Sequence, residues 1–123
     1  VVVNLLQNDE AVMSRPDHQQ FKKLFGDKAP TDDTIVAAYK NFIQKLRVHY
    51  PTASIICTLG SMGITRQGSK WPRLVALAVS ELKDPKIFTH FFPFKGTAGH
   101  PNVKEQEDMA NSLIRFIDTN IKW

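Results

Sequence analysis

Cysteine is almost missing from this 123-residue chain, in which Cys57 is the single example. One cysteine excludes an internal disulfide framework and a multi-cysteine zinc site. Cys57 lies within the apolar run SIICTLG, and this setting indicates a buried, unreactive thiol. No two histidines have the H-x-x-x-H spacing of a metal site. We therefore expect neither a metal nor another cofactor.

Long apolar runs and basic clusters are missing as well. No run approaches the roughly 20 residues that span a bilayer, so we expect no membrane partner. The first six residues lack the basic flank and the cleavage site of a signal peptide. The net charge is +4, but lysine and arginine are scattered among the acids, without a basic and aromatic stripe. We therefore do not expect the chain to bind nucleic acid.

Buried strands and amphipathic helices alternate along the chain. Apolar runs predict strands at 1–6, 54–59 and 87–92, and the stretch 11–30 reads as irregular with one helical turn that ends at Gly26. Strands that alternate with helices predict an α/β fold, a three-layer α/β/α arrangement around a parallel sheet.

Three longer helices follow from apolar residues at helical spacing. Thr31, Asp32 or Asp33 can cap the first, Pro72 begins the second, and Asn102 caps the third. Their predicted buried faces are Ile35, Tyr39, Phe42 and Leu46; Leu74, Leu77, Ala78 and Leu82; and Val103, Met109, Ala110, Leu113, Ile117 and Ile121.

The carboxyl ends of parallel strands form one edge, where ligands bind in open α/β sheets. Three segments should meet there: LLQNDE, LGSMG and FPFKGTAGHPN. The amide of Asn8 could donate to a developing oxyanion, or Asn8 could simply form a turn. His100 could act as a base, or it could be an ordinary exposed histidine. Ser61 lies outside a G-x-S-x-G elbow and reads as a loop serine.

The motifs at this edge resemble those of the SGNH (GDSL-type) hydrolases. VVVNLLQND is similar to their third block, G-x-N-D, and HPN is similar to the fifth block, which carries the catalytic histidine. The run AYKNFIQKLRVHYPTASIICTLGSM between them is similar to the usual helix, strand and glycine loop. Within the superfamily, the chain most resembles carbohydrate esterase family 2, acetyl esterases that deacetylate plant polysaccharides such as acetyl xylan.

The resemblance implies a flavodoxin-like SGNH fold in which residues 1–123 are the C-terminal part of a single domain and its N-terminal portion is missing. It makes His100 the general base and Asn8 an oxyanion-hole donor, while the nucleophilic serine belongs to a first block that would precede Val1. It also implies an acetylated carbohydrate or other small ester as substrate and a secreted or periplasmic location. We expect the chain alone to be inactive.

The sequence departs from the family pattern at two places. Leu6 stands where G-x-N-D has glycine, and the acid that precedes the histidine would fall at Thr97 or Ala98. Some members of the resembled family orient the histidine by a backbone carbonyl, which His100 would fit. Two other functions stay open: a non-catalytic carbohydrate-binding or interaction module, and a nucleotide or phosphate binder. A glycine-rich phosphate loop is missing for the latter.

A sheet without its remaining strands would leave the side of its first strand unpaired. Unpaired edges favour association. We therefore expect this chain to self-associate.

Overall fold

A three-stranded parallel sheet forms the centre of the computed structural model, which describes residues 1–122. The strands are β1 (Val2–Asn4), β2 (Ile55–Leu59) and β3 (Ile87–Phe91), in the order β1-β2-β3. The helices are α1 (Gln7–Met13), α2 (Gln19–Phe25), α3 (Asp32–His49), α4 (Trp71–Leu82) and α5 (Val103–Asn120), with a short 3-10 turn over Gly63–Thr65. The predicted α/β class with a parallel sheet is confirmed.

The central strand is buried on both faces. Every residue of β2 is buried, with Val3 of β1 opposite Cys57 and Phe91 of β3 opposite Leu59. A strand that is apolar on both sides needs cover on both sides, and helices supply it. On one face, buried side chains of α3 and α4 join those of the sheet in the main core. On the other face Phe116 of α5 packs edge-on against Phe88.

The first helix was not predicted. The sequence indicated a strand over 1–6 and allowed a turn at Asn8, whereas β1 ends at Asn4 and α1 begins at Gln7. Asp9 and Glu10 lie in the first turn of α1, where negative charge complements the helix dipole. The irregular stretch expected over 11–30 therefore contains the end of α1 and all of α2, which ends at the positive-φ Gly26 as predicted.

The predicted starts of α3 and α5 are confirmed at their caps. The Thr31 hydroxyl accepts a hydrogen bond from the Thr34 N–H at 3.2 Å. Asn102 and Glu105 form a reciprocal capping box at the start of α5. These bonds satisfy N–H groups that have no partner inside the helix.

The predicted buried face of α5 is partly wrong. Val103 is 86% exposed and Ala110 is exposed, whereas Met109, Leu113 and Ile117 are half-buried and Ile121 is buried. Phe42 of α3 and Leu77 of α4 are exposed in the same way. The described sheet has only three strands. A sheet of this width covers only part of the apolar stripe of each helix.

In the part of the chain that the structure describes, no helix combines the length and the apolar character needed to cross a bilayer.

Candidate active site

The three segments expected to meet at the carboxyl edge of the sheet do lie together. A Cβ placed on Gly60 would be 3.7 Å from Oδ1 of Asn4 and 3.9 Å from Oε1 of Gln7, so the β1–α1 junction packs directly against the loop after β2. The loop after β3 joins them, because the Lys95 N–H donates to the Ser61 carbonyl at 2.8 Å. The carboxyl ends of the parallel strands lie at one edge of the sheet, which produces this convergence.

The β1–α1 junction turns through an unusual backbone conformation. Leu6 has φ of 73° and ψ of −6°, in the left-handed region that favours glycine. The Leu6 carbonyl then accepts the first helical hydrogen bond, from the Glu10 N–H at 2.9 Å. Leu6 therefore adopts a backbone conformation that glycine favours. The junction delivers Asn8 to the exposed first turn of α1.

A buried acceptor lies beside this junction. Oε1 of Gln7 is shielded from solvent and has no hydrogen-bond partner among residues 1–122. Buried polar atoms in native proteins are almost always satisfied. This end of β1 therefore offers an acceptor that a donor from outside residues 1–122 could use.

His100 lies in the loop between β3 and α5. It follows Gly99, whose φ is 72°, and it precedes Asn102, the N-cap of α5. The side chain is exposed, and within residues 1–122 its ring makes no hydrogen bond. The structure thus holds the backbone on both sides of His100 and leaves the imidazole open to solvent.

The loop before His100 folds around a buried lysine. The Lys95 side chain is only 4% exposed, and its ammonium lies 3.5 Å from the Glu105 carboxylate. Nζ donates to the carbonyls of Thr97 at 3.1 Å and Ala98 at 3.3 Å, and also to the Thr97 hydroxyl. The ammonium is therefore held to the turn by hydrogen bonds and to the first turn of α5 by an ion pair.

Glu105 connects this turn to the helix cap. Its Oε1 accepts from the Thr97 hydroxyl at 2.6 Å, and its Oε2 accepts from the Asn102 N–H at 2.8 Å. These two bonds, followed by the charge of Lys95, hold the pKa of the Glu105 carboxyl below its ordinary value. Thr97 and Ala98, the two positions where the family pattern has an acid, instead supply carbonyl oxygens to Lys95.

Neither Ser61 nor Ser112 has the setting of a usual nucleophile within residues 1–122. Ser61 is buried, and its hydroxyl donates to Sδ of Met109 at 3.2 Å rather than to a histidine. Ser112 does lie 3.1 Å from Nε2 of His90. However, Ser112 is in the interior of α5, where its N–H is engaged in the helix and cannot hold an oxyanion.

His90 has the surroundings of a packed core histidine. The rings of Phe92 and Phe116 lie 5.1 Å and 4.8 Å from its own, centroid to centroid. Burial lowers the pKa of His90 below its ordinary value, which favours the neutral ring. Among residues 1–122, no group of three or more His, Cys, Asp or Glu side chains could hold a metal ion.

Sequence reasoning missed the most extensively bonded side chain at this edge, Lys95. The Asn102-x-x-Glu105 spacing did carry a readable signal, that of a capping box. Nothing in the local pattern marked Lys95 as buried, because that burial depends on the packing of the loop against α5.

The parallel sheet with its helices is an α/β fold of the SGNH type. None of the protein-family models matches the chain. The cellulase/esterase CelE of Acetivibrio thermocellus is 30% identical over 132 residues, which cover 100% of this chain and 14% of CelE. A family two carbohydrate esterase from Clostridium thermocellum, solved in complex with cellohexaose, is 29% identical with a TM-score of 0.71; the match covers 97% of this chain and 35% of that one.

A structure with lower sequence identity shows the same fold. The carbohydrate esterase family 2 enzyme of Corynascus thermopiles (Myceliophthora fergusii) has a TM-score of 0.75 at 21% identity, over 100% of this chain and 37% of that one. The chain is therefore similar in sequence and fold to a C-terminal portion of carbohydrate esterase family 2 enzymes. It spans little more than a third of the solved relatives and a smaller share of CelE.

Proposed function

We propose that this chain forms the carboxyl-terminal part of a serine-type ester hydrolase that removes acetyl groups from carbohydrate. The nucleophilic serine comes from outside the 123 residues, His100 is the general base, and Asn8 is an oxyanion-hole donor. One observation carries the proposal. The G-x-N-D-like junction packs against the glycine loop, and the segment that leads to HPN is hydrogen-bonded to that same loop through Lys95, in a chain similar to family two carbohydrate esterases.

In this mechanism His100 accepts the proton of the serine and passes a proton to the leaving group. The serine oxygen attacks the acetyl carbonyl while the imidazole accepts the serine proton, and the imidazolium returns a proton to the departing sugar oxygen. Water then repeats the sequence on the acetyl-enzyme and releases acetate. An exposed ring on a fixed loop, as found at His100, suits a base that must meet groups from another segment.

Asn8 stabilises the negative charge that forms on the carbonyl oxygen during attack. The carbonyl oxygen becomes negative in the tetrahedral intermediate, and an amide N–H aimed at it stabilises that charge. The described residues leave the Asn8 side chain free of hydrogen bonds and exposed on the first turn of α1. Its amide is thus available to a ligand at this edge of the sheet.

The substrate class follows from the relatives rather than from a pocket of this chain. The Clostridium thermocellum enzyme was solved with a cello-oligosaccharide. We therefore propose an acetylated carbohydrate as substrate, acetyl xylan among the candidates. A protein that acts on plant polysaccharide works outside the cytoplasm, and we propose a secreted or periplasmic location.

The test uses an assembled protein, in which this chain replaces the matching carboxyl-terminal portion of the Clostridium thermocellum esterase. Acetate release from an acetylated oligosaccharide is then measured. We expect His100→Ala to lower turnover about 100- to 10,000-fold, the usual contribution of a general base. Asn8→Ala should cost roughly 100- to 1000-fold, as loss of an oxyanion donor does.

His49→Ala provides the matched control, because His49 is an exposed histidine at the end of α3. This variant should retain full turnover. If His100→Ala were as active as His49→Ala, His100 would have no part in the mechanism.

A binding module without catalysis is the second candidate. Its support is the lack of an acid at Thr97 and Ala98, where the family pattern places the partner of the histidine. Calorimetric titration with an oligosaccharide separates the two candidates. Binding by an assembled protein that releases no acetate, and whose serine a fluorophosphonate probe does not label, would favour the module.

A further inference from the structure

Six residues separate Lys95 from Asn102, and both ends of this connection are fixed. The Lys95 backbone is bonded to Ser61, and Asn102 caps α5. Between them Gly96 and Gly99 have φ of 75° and 72°, which gives the turn an irregular course with no helical or strand hydrogen bonds of its own. Its shape must therefore come from side chains that reach into it.

Lys95 is a side chain that reaches into this turn. Its buried ammonium gathers the carbonyls of Thr97 and Ala98 and the Thr97 hydroxyl, and Glu105 balances its charge. A buried ammonium without partners is strongly unfavourable, so the turn and the lysine constrain each other. The two carbonyls immediately precede Gly99 and His100 in the chain.

We propose that Lys95 is a positioning residue for His100. With Glu105 it holds the 97–99 turn in one conformation, and the turn fixes the direction in which the imidazole leaves the backbone. An acid two or three residues before the histidine would orient the imidazole through its charge. In this chain the fixed conformation of the turn orients it instead. This role rests on the proposed function of His100.

A first experiment follows the loop itself in the 123-residue chain. Backbone ¹⁵N relaxation reports the order of the amides at 97–100, and Lys95→Met removes the charge while it keeps an apolar stem of similar length. We expect these amides to become mobile in Lys95→Met and to stay ordered in Lys104→Met. Lys104 is the matched control, because its side chain is 80% exposed and pairs only with Asp108.

A milder pair covers the case in which Lys95→Met unfolds. Thr97→Val removes the hydroxyl that joins Lys95 to Glu105, whereas Thr97→Ser keeps it. The valine variant should loosen the turn and the serine variant should not. Equal order in both Thr97 variants, or in both lysine variants, would overturn the proposal.

A second experiment measures kinetics in the assembled esterase. Lys95→Met should lower kcat about 10- to 100-fold with little change in KM, since a displaced catalytic group costs turnover rather than binding. In a His100→Ala background the same substitution should cost nothing further. If Lys95 had only a structural role, Lys95→Met would lower kcat by the same factor with His100 present and in the His100→Ala background.

The effects of His100→Ala and Lys95→Met on kcat distinguish a failure of the positioning role from a failure of the proposed function. If His100→Ala inactivates the enzyme but Lys95→Met leaves kcat unchanged, the positioning role is wrong and the proposed function stands. If His100→Ala has no effect, the proposed function fails, and the catalytic role of Lys95 fails with it. Relaxation data would in that case still report whether Lys95 orders the turn.

Discussion

At Leu6 the backbone adopts a left-handed conformation that residues other than glycine adopt only at a cost in free energy. The left-handed region disfavours a side chain by roughly 1–2 kcal/mol. Leu6 is nevertheless half-buried and packs against the main core. The leucine therefore combines a strained backbone with favourable burial, at the junction that delivers Asn8.

A pair of substitutions separates these two contributions. Both Leu6→Ala and Leu6→Gly remove the packing, but only glycine relieves the strain. We expect Leu6→Gly to be more stable than Leu6→Ala by about 1 kcal/mol in urea unfolding. At Ala37, an exposed position within α3, alanine should instead be the more stable by about 1 kcal/mol. Equal stability of the two Leu6 variants would show that the turn is unstrained.

Asp84 is a second residue whose effect can be measured alone. Its carboxylate accepts from Nε of Arg47 at 2.8 Å and from the Lys86 N–H at 2.9 Å. Burial by itself would raise the pKa of Asp84, but these two donors together hold that pKa below its ordinary value. Arg47 also donates to the Tyr50 and Ala53 carbonyls, so Asp84 helps to tie the end of α3 to the start of β2.

The lowered pKa fixes the sign of a pH effect on stability. The unfolded chain binds a proton at Asp84 more readily than the folded chain does, near pH ~3.9. The stabilisation by Asp84 is thus complete above that pH and is lost as the pH falls through the lower folded pKa. In urea unfolding between neutral pH and about pH 3, Asp84→Asn should weaken the loss of stability on acidification. An unchanged pH dependence would exclude this contribution.

At the scale of elements, strong and redundant patterns were predictable and weak ones were not. The run SIICTL could only be a buried strand, and Thr31 and Asn102 carried readable cap signals. The first helix was missed because its start depends on a left-handed Leu6, which no local propensity indicates. The exposure of Val103 was missed because periodicity gives the direction of a face but not the width of the surface beneath it.

The surroundings of β1 lead to a prediction about self-association of the chain. This strand pairs only with β2 in the described structure, so its other edge is free, and Val2 within it is 48% exposed. An apolar, unpaired strand edge promotes pairing with another chain. We expect concentration-dependent self-association of the 123-residue chain in analytical ultracentrifugation.

Val2→Lys should reduce this association, because a charge at an edge opposes pairing. Val48→Lys is the control, since Val48 is 77% exposed and lies on α3 rather than in the sheet. A chain that stays monomeric at every concentration, or that responds equally to both substitutions, would exclude β1 as the contact.

For the molecule as a whole, topology made the site edge predictable, and tertiary packing determined its details. Alternating strands and helices were enough to bring residues near Asn8, Gly60 and His100 to one edge. The burial of Lys95 and its bonds to the 97–99 turn depend on how α5 packs beside that turn. The pattern of the residues around Lys95 carries no sign of that packing.

The central claim is that this chain supplies the base and an oxyanion donor, but not the nucleophile, of a carbohydrate esterase. The most direct measurement compares acetate release from an acetylated oligosaccharide by the 123-residue chain alone and by the chain joined to the serine-bearing part of the Clostridium thermocellum esterase. We predict no turnover above background for the chain alone and turnover that depends on His100 for the joined protein. Robust turnover by the isolated chain that is lost in Ser61→Ala or Ser112→Ala would contradict the claim, because the nucleophile would then lie within these residues.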